Sequence, residues 1–191
     1  MVDWKKWELN TAPTIFKKLG VRKGDRILDF GANEGDYTIP LAILVGVNGN
    51  IIAMDEDKRS LRKIKKRAKS HSLSNIKYLH FHWDKGEKIP LNTGSLDSAL
   101  LFDILHYFED DKRRVIYNEV KRLLCSEGLL VSFPQHNKES YALWNLADLS
   151  VKDIIAEIEA EGFQLIQRTE EKIIHDHDWY PGEILTFQIL D

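Results

Sequence analysis

The stretch Leu28–Thr38, LDFGANEGDYT, decides how the rest of this chain is read. It leaves an apolar run, RILDF (26–30), passes through Gly31 and Gly35 among acidic residues, and resumes with YTIPLAILVG (37–46), an apolar segment suited to a packed helix. A buried strand, a glycine loop and a helix, in that order, is how parallel α/β sheets hold ligands. Glycine lets the backbone approach what a Cβ would push away, and the helix start offers unpaired N–H groups. Working outward, NIIAMD (50–55) reads as a second strand entered through the turn VNGN, and its closing Asp55 follows Gly35 by 20 positions. An acidic residue at the end of the second strand, about 20 residues beyond the loop, is placed to accept hydrogen bonds from ribose hydroxyls. Loop and carboxylate together point to a ligand that carries a ribose.

The pattern continues as alternating strands and helices. Between Glu56 and Ser70, Leu61, Ile64 and Ala68 fall at helical spacing. NIKYLHF, SLDSALLFD and LLVSF read as the third to fifth strands, the last reached through a turn at Ser126–Gly128. The helix DKRRVIYNEVKRLL between the fourth and fifth shows Val115, Ile116, Val120, Leu123 and Leu124 as an apolar stripe. Ser150 and Asp153 form a capping box for VKDIIAEIEAEG, with Gly162 placed to stop the helix. FQLIQRTEEKII and EILTFQIL are separated only by HDHDWYPG, too short for a crossover helix, so they are expected as antiparallel neighbours.

At 191 residues, one domain is expected (1–191), with 1–20 as an N-terminal helical lid or cap. Composition is that of an ordinary globular protein, and a net charge of −3 gives no global attraction to nucleic acid or an acidic membrane. Nucleic acid stays open as a partner, and oligomeric state is not legible. Cys125 is the only cysteine, which rules out an internal disulfide or a cysteine-built metal cluster. MVDWKKWELN lacks the apolar core of a secretory signal, and IPLAILVGV (39–47) is too short to span a bilayer, so a cytoplasmic protein without membrane association is expected.

Glycine spacing narrows the ligand. The dinucleotide fingerprint G-x-G-x-x-G needs glycine at 31, 33 and 36, whereas the chain has Gly31, Asn33 and Asp36. This argues against a nicotinamide-dependent oxidoreductase, the alternative that shares strand order and Asp55. Asp29, Glu34 and Asp36 suit a ligand with a cationic or zwitterionic part and no phosphate.

LDFGANEGDYT, IIAMDED, SLDSALLFDILHYFED and EVKRLLCSEGLLVSF, in that order, resemble the successive motifs of class I S-adenosylmethionine-dependent methyltransferases of the small-molecule, methyltransferase domain 11-like type, over roughly residues 10 to 190. The resemblance implies a Rossmann-like, doubly wound, mostly parallel seven-stranded sheet with an antiparallel C-terminal hairpin. It implies methyl transfer from S-adenosylmethionine to a small-molecule acceptor. By position, Gly31, Asn33 and Gly35 would surround the methionine part, Asp29 would help hold its amino group, and Asp55 would take the ribose hydroxyls. Adenine would lie near Met54 and Glu56, edged by Trp83 or Asp84. Asp103 and His106 would face the methyl and the acceptor. Asn33 departs from the family's middle glycine, and the adenine loop holds an extra residue, which leaves Trp83 and Asp84 as alternatives. A non-catalytic relative that keeps the scaffold is the other class of reading.

The remaining features have plainer readings. Asp97 suits a structural carboxylate at a strand start. His175 and His177 alternate as two metal ligands on a strand would, but no third ligand is placed, so no metal is expected. The run Lys58–Lys69, with eight Lys or Arg in twelve positions, reads as a solvated helix face. Tyr141 and Trp144 suit either an acceptor pocket or packing at the sheet edge, and Trp4 and Trp7 either a lid or a packed terminus.

Overall fold

The computed structural model describes residues 2–83, 88–175 and 177–190. An N-terminal helical segment comprises α1 (Trp4–Lys6), a π-turn (Trp7–Thr11) and α2 (Ala12–Lys18). There follow β1 (Arg26–Phe30), α3 (Thr38–Val45), β2 (Asn50–Asp55), α4 (Lys58–Ser70), β3 (Ile76–His80) and β4 (Leu96–Phe102). The chain then forms α5 (Asp110–Leu123), β5 (Leu124–Phe133), α6 (Val151–Ala160), β6 (Phe163–His175) and β7 (Asp178–Ile189). The strands make one seven-stranded sheet in the order β3-β2-β1-β4-β5-β7-β6. β2 runs parallel to both β1 and β3, β4 is parallel to β5, and β7 runs against β5 as part of an antiparallel C-terminal hairpin. This is the Rossmann-like arrangement that the family resemblance implies, and the alternation of elements agrees with it. β1, which feeds the glycine loop, is the strand at which the order turns back.

The described residues group into two compact units: 2–83 with 172–175 and 177–180, and 88–171 with 181–190. In the first, β1 is buried from Ile27 to Phe30 and apolar there except for Asp29, the middle of β2 is fully apolar and buried, and α3 is buried along nearly its whole length, as a helix covering a parallel sheet requires. α4 is amphipathic: Leu61, Ile64 and Ala68 face inward while its lysines stay exposed. Asp57 caps it by accepting the Arg59 N–H at 2.8 Å. In the second unit, Ile116, Tyr117, Val120 and Leu123 of α5 and Ile154, Ile155 and Ile158 of α6 line the core. The Ser150–Asp153 capping box forms as expected.

Two expectations need correction here. Ser126–Gly128 is no free turn: β5 starts at Leu124, and its register against β4 jumps from Leu96↔Leu124 to Ser98↔Leu129. The extra residues are absorbed as a bulge, which Gly128 permits because a Cβ there would meet the Cys125 carbonyl at 2.9 Å. Val115 also leaves the α5 stripe and is 44% exposed, while Tyr117 is fully buried. Positions 113, 116, 117, 120 and 123 keep the i, i+3, i+4, i+7 spacing, and 115 lies off that face.

Candidate functional site

In the first unit the glycine loop is bound to the end of β2. The Gly31 and Ala32 N–H groups both donate to the Met54 carbonyl at 2.9 Å. Asn33 has φ 43° and aims its N–H at Asp55 Oδ2 at 2.7 Å, while Asp55 Oδ1 accepts the Asp57 N–H at 2.8 Å. A carboxylate oxygen has lone pairs for more than one donor, so these bonds orient Asp55 and leave acceptor capacity on both oxygens. Gly35 holds φ 86°, a conformation that strains any other residue, and a Cβ there would stand tightly, 3.0 Å from Ile64 Cγ1. Residues 22 positions apart thus meet at one loop, as the spacing of Gly35 and Asp55 suggested.

Asp29 lies at the base of this loop, 2% exposed, accepting a hydrogen bond from the Thr38 hydroxyl. Burial pushes its carboxyl up to about 7; the Thr38 bond opposes the rise, and the charges of Asp55 and Asp36 add to it. Glu56 is exposed, with its carboxylate 3.6 Å from His82 Nδ1 and its carbonyl taking the His80 Nε2 proton at 3.0 Å. The Trp83 ring packs on Phe30 at the end of β1, at 5.7 Å. Asp84 lies outside the described residues. Met54 is 2% exposed, so what it offers the loop is its carbonyl.

In the second unit a cluster forms where β4 and β5 end. Asp103 has φ 51° and donates its N–H to the Phe133 carbonyl at 3.0 Å. Its Oδ1 is 3.5 Å from His106 Nδ1 and 3.6 Å from His136 Nε2. His106 is 2% exposed, and its ring lies 4.1 Å from Tyr107, 4.6 Å from His136 and 5.3 Å from Trp144. Tyr107 and Trp144 are more than half exposed and contact each other at 4.9 Å. His136 Nδ1 lies 2.9 Å from the Tyr141 carbonyl oxygen. A carbonyl only accepts, so Nδ1 carries the proton and Nε2 is turned to Asp103. Asp103, His136, Tyr141 and Trp144 all hold positive φ without being glycine, a strain that persists only where the surroundings impose it.

Arg113 ties together segments that adjoin this cluster. Its guanidinium is bidentate to Glu157 at 2.8 and 2.7 Å and donates to the Phe108 carbonyl at 2.6 Å and to the Asn145 carbonyl at 3.4 Å. Asn145 Nδ2 in turn donates to the His106 carbonyl at 3.2 Å. Sequence reasoning paired Asp103 with His106 and singled out Tyr141 and Trp144, but missed His136, Tyr107 and Arg113. The position of His136 directly after the fifth strand, in FPQHN, was the signal available for it.

Other candidates take plainer places. Asp97 sits at the β4–β5 bulge with Cys125 Sγ 4.0 Å from its carboxylate. His175 packs on Tyr180 at 5.3 Å and His177 on Trp4 at 5.7 Å. Of the basic run, Lys63 pairs with Glu34 and Arg67 with Asp36 and Glu8, while Lys58, Arg59, Arg62, Lys65, Lys66 and Lys69 are exposed. Among the described residues no helix is long and apolar enough to cross a membrane.

Residues 27–128 match the methyltransferase domain family, and the chain belongs to it. The chain is 29% identical over 136 residues to the demethylmenaquinone methyltransferase of Staphylococcus aureus, an alignment covering 68% of this chain and 54% of that protein. It therefore spans about half the length of these curated relatives. Among solved structures, an S-adenosylmethionine-dependent methyltransferase from Aquifex aeolicus superposes with a TM-score of 0.75 at 17% identity, over 97% of this chain and 93% of that one. Magnesium protoporphyrin IX methyltransferase from Synechocystis PCC 6803, solved with bound S-adenosylmethionine, gives 0.67 at 15% identity, over 95% and 78%. At such identities the likeness is one of fold.

Proposed function

We propose that this chain is an S-adenosylmethionine-dependent methyltransferase acting on a small molecule. The observation that carries the reading is the junction of the glycine loop with Asp55, which leaves a carboxylate with spare acceptor capacity beside a backbone that presents no Cβ at Gly31 and Gly35. Gly31, Asn33 and Gly35 border the methionine part, Asp55 takes the ribose hydroxyls, and Glu56 and Trp83 flank the adenine. Asp29 faces the amino group. An ammonium there relieves the cost that burial imposes on its charged form, so binding ionises it.

When bound, S-adenosylmethionine supplies a methyl group already activated on a sulfonium, and its transfer leaves S-adenosylhomocysteine. The chain's contribution is to orient the acceptor and keep water away. Asp103 and His106 serve the acceptor side, where a proton leaving an acceptor hydroxyl or amine needs a base. The exposed rings of Tyr107 and Trp144 suit a flat acceptor, a preference in keeping with the quinone named in the Staphylococcus relatives.

Calorimetric titration with S-adenosylhomocysteine, with NAD as control, tests the reading. Micromolar binding of the first ligand alone supports it. No binding of S-adenosylhomocysteine to a folded protein refutes it and leaves a scaffold without the family's chemistry.

A further inference from the structure

We propose that Arg67 is a positioning residue for the cofactor: it holds the glycine loop through Glu34 and Asp36 and ties that loop to the N-terminal helical segment, so that the order of the segment and cofactor affinity rise and fall together. The inference rests on reading the loop as the S-adenosylmethionine site.

One guanidinium makes three of the links. Arg67 Nη1 donates to the Glu34 carbonyl and to Asp36 Oδ1, both at 2.6 Å, and Nη2 donates to Glu8 Oε1 at 2.7 Å. The plane of an arginine is what permits three directed bonds at once; a lysine ammonium, a point charge on a flexible stem, does not reproduce that fork. The Trp4 ring covers the guanidinium, with Cζ 5.3 Å from its centroid. A second link runs beside the first, from the Trp7 indole N–H to the Asp36 carbonyl at 2.8 Å. The turn that follows Gly31 and Asn33 is therefore gripped by α4 on one side and by the N-terminal segment on the other.

The segment itself is built to reach this turn. Pro13 lacks an N–H, and in a regular helix its ring crowds the Leu9 carbonyl. The chain instead widens into the π-turn, where the Ala12 N–H bonds back to the Trp7 carbonyl. Trp7 and Glu8 lie in that turn and are buried, at 1% and 6% exposure. A buried carboxylate needs partners, and Glu8 has two: Arg67 and, through its other oxygen at 2.9 Å, His71 Nε2. The coupling passes through Glu8 and Trp7, with Trp4 packed over the same guanidinium.

The experiment combines titration with S-adenosylhomocysteine and hydrogen exchange of residues 4–18, on the wild type and on Arg67→Lys, Glu8→Gln and Trp7→Phe. Arg67→Lys is expected to weaken binding about tenfold, and Glu8→Gln and Trp7→Phe about threefold each. In the wild type the ligand slows exchange in residues 4–18; in Arg67→Lys it does not. A purely structural ion pair would lower the melting temperature and leave the ligand-dependent protection in place. If Arg67→Lys fails to fold, the other two variants decide. Folded variants that bind like the wild type, or a ligand that leaves exchange in residues 4–18 unchanged, overturn the proposal. A wild type that binds no S-adenosylhomocysteine removes the reading of the loop and this inference with it.

Discussion

The two units solve the same problem, how to hold a polar loop in a fixed shape, with different materials. Around the glycine loop the fixing groups are carboxylates, backbone N–H groups and Arg67, which is still a quarter exposed. Around Asp103 they are histidine and aromatic rings packed edge-on or tilted, and Arg113, almost fully buried and locked to Glu157, holds the Phe108 and Asn145 carbonyls. Arg67 holds one loop carbonyl and Arg113 holds two, but only the second of these arginines is cut off from water. The contrast teaches that a clamp's energetic weight follows its burial, whereas its functional weight follows what the clamped loop touches.

That contrast can be broken most forcefully at Glu157. Glu157→Ala leaves Arg113 buried with carbonyls alone and is expected to cost about 3–5 kcal/mol in denaturant unfolding. Glu8→Ala should cost clearly less, because Arg67 keeps Asp36 and a partly solvated setting. Equal losses would show that burial does not separate the two clamps.

Next comes Asp29, whose carboxyl is raised from 3.8 to about 7 by burial. The folded state then holds the proton more tightly than the unfolded chain does. The stabilisation is complete below pH 3.8, shrinks as pH rises, and is lost once pH passes about 7. Wild type should therefore lose a few kcal/mol between pH 4 and pH 8 that Asp29→Asn does not, read by thermal melts of both at each pH. Parallel pH profiles would mean that Asp29 is charged in the fold. Because an ammonium ligand favours the charged form, S-adenosylhomocysteine should also bind more weakly below pH 7 in the wild type.

Asp55→Ala removes the acceptor of the Asn33 N–H and the proposed ribose partner together, and about 1–3 kcal/mol of binding free energy for S-adenosylhomocysteine should go with it in the titration. The smallest effect belongs to the second unit's α6. Ser150→Ala opens the capping box and should cost about 1 kcal/mol of stability, with S-adenosylhomocysteine affinity untouched. A shift in that affinity would show that the two units respond to one another.

Much of the first unit was legible because its parts are close in the chain and their spacing is set by geometry. A strand of five residues, a loop that needs positive φ at Gly31 and Gly35, and a second strand ending in Asp55 leave little freedom. The second unit was legible only as elements. Its cluster draws on positions 103, 106, 107, 136 and 144, on segments with no shared period, and a histidine after a strand carries no mark of what it will face. The bulge at Cys125–Gly128 escaped for a related reason: Ser-Glu-Gly favours a turn locally, and only the pairing of its flanks, Leu124 and Leu129, with β4 draws it into a strand. The N-terminal segment was read as a helical cap, but neither its π-turn nor the partners of Trp7 and Glu8 could be inferred, since Arg67 lies 59 residues from Glu8.

The sequence by itself determined the alternation of strands and helices, the reversed final hairpin and the pairing of glycine loop with Asp55, because hydrophobic period, chain length and φ constraints are local quantities. Only the tertiary structure decided that Arg67 joins the loop to residue 8, that His136 stands beside Asp103, and that Asp29 is dry enough to keep a proton near pH 7. Directed bonds between distant segments and the exclusion of water depend on where the folded chain brings those segments, and no local pattern records that.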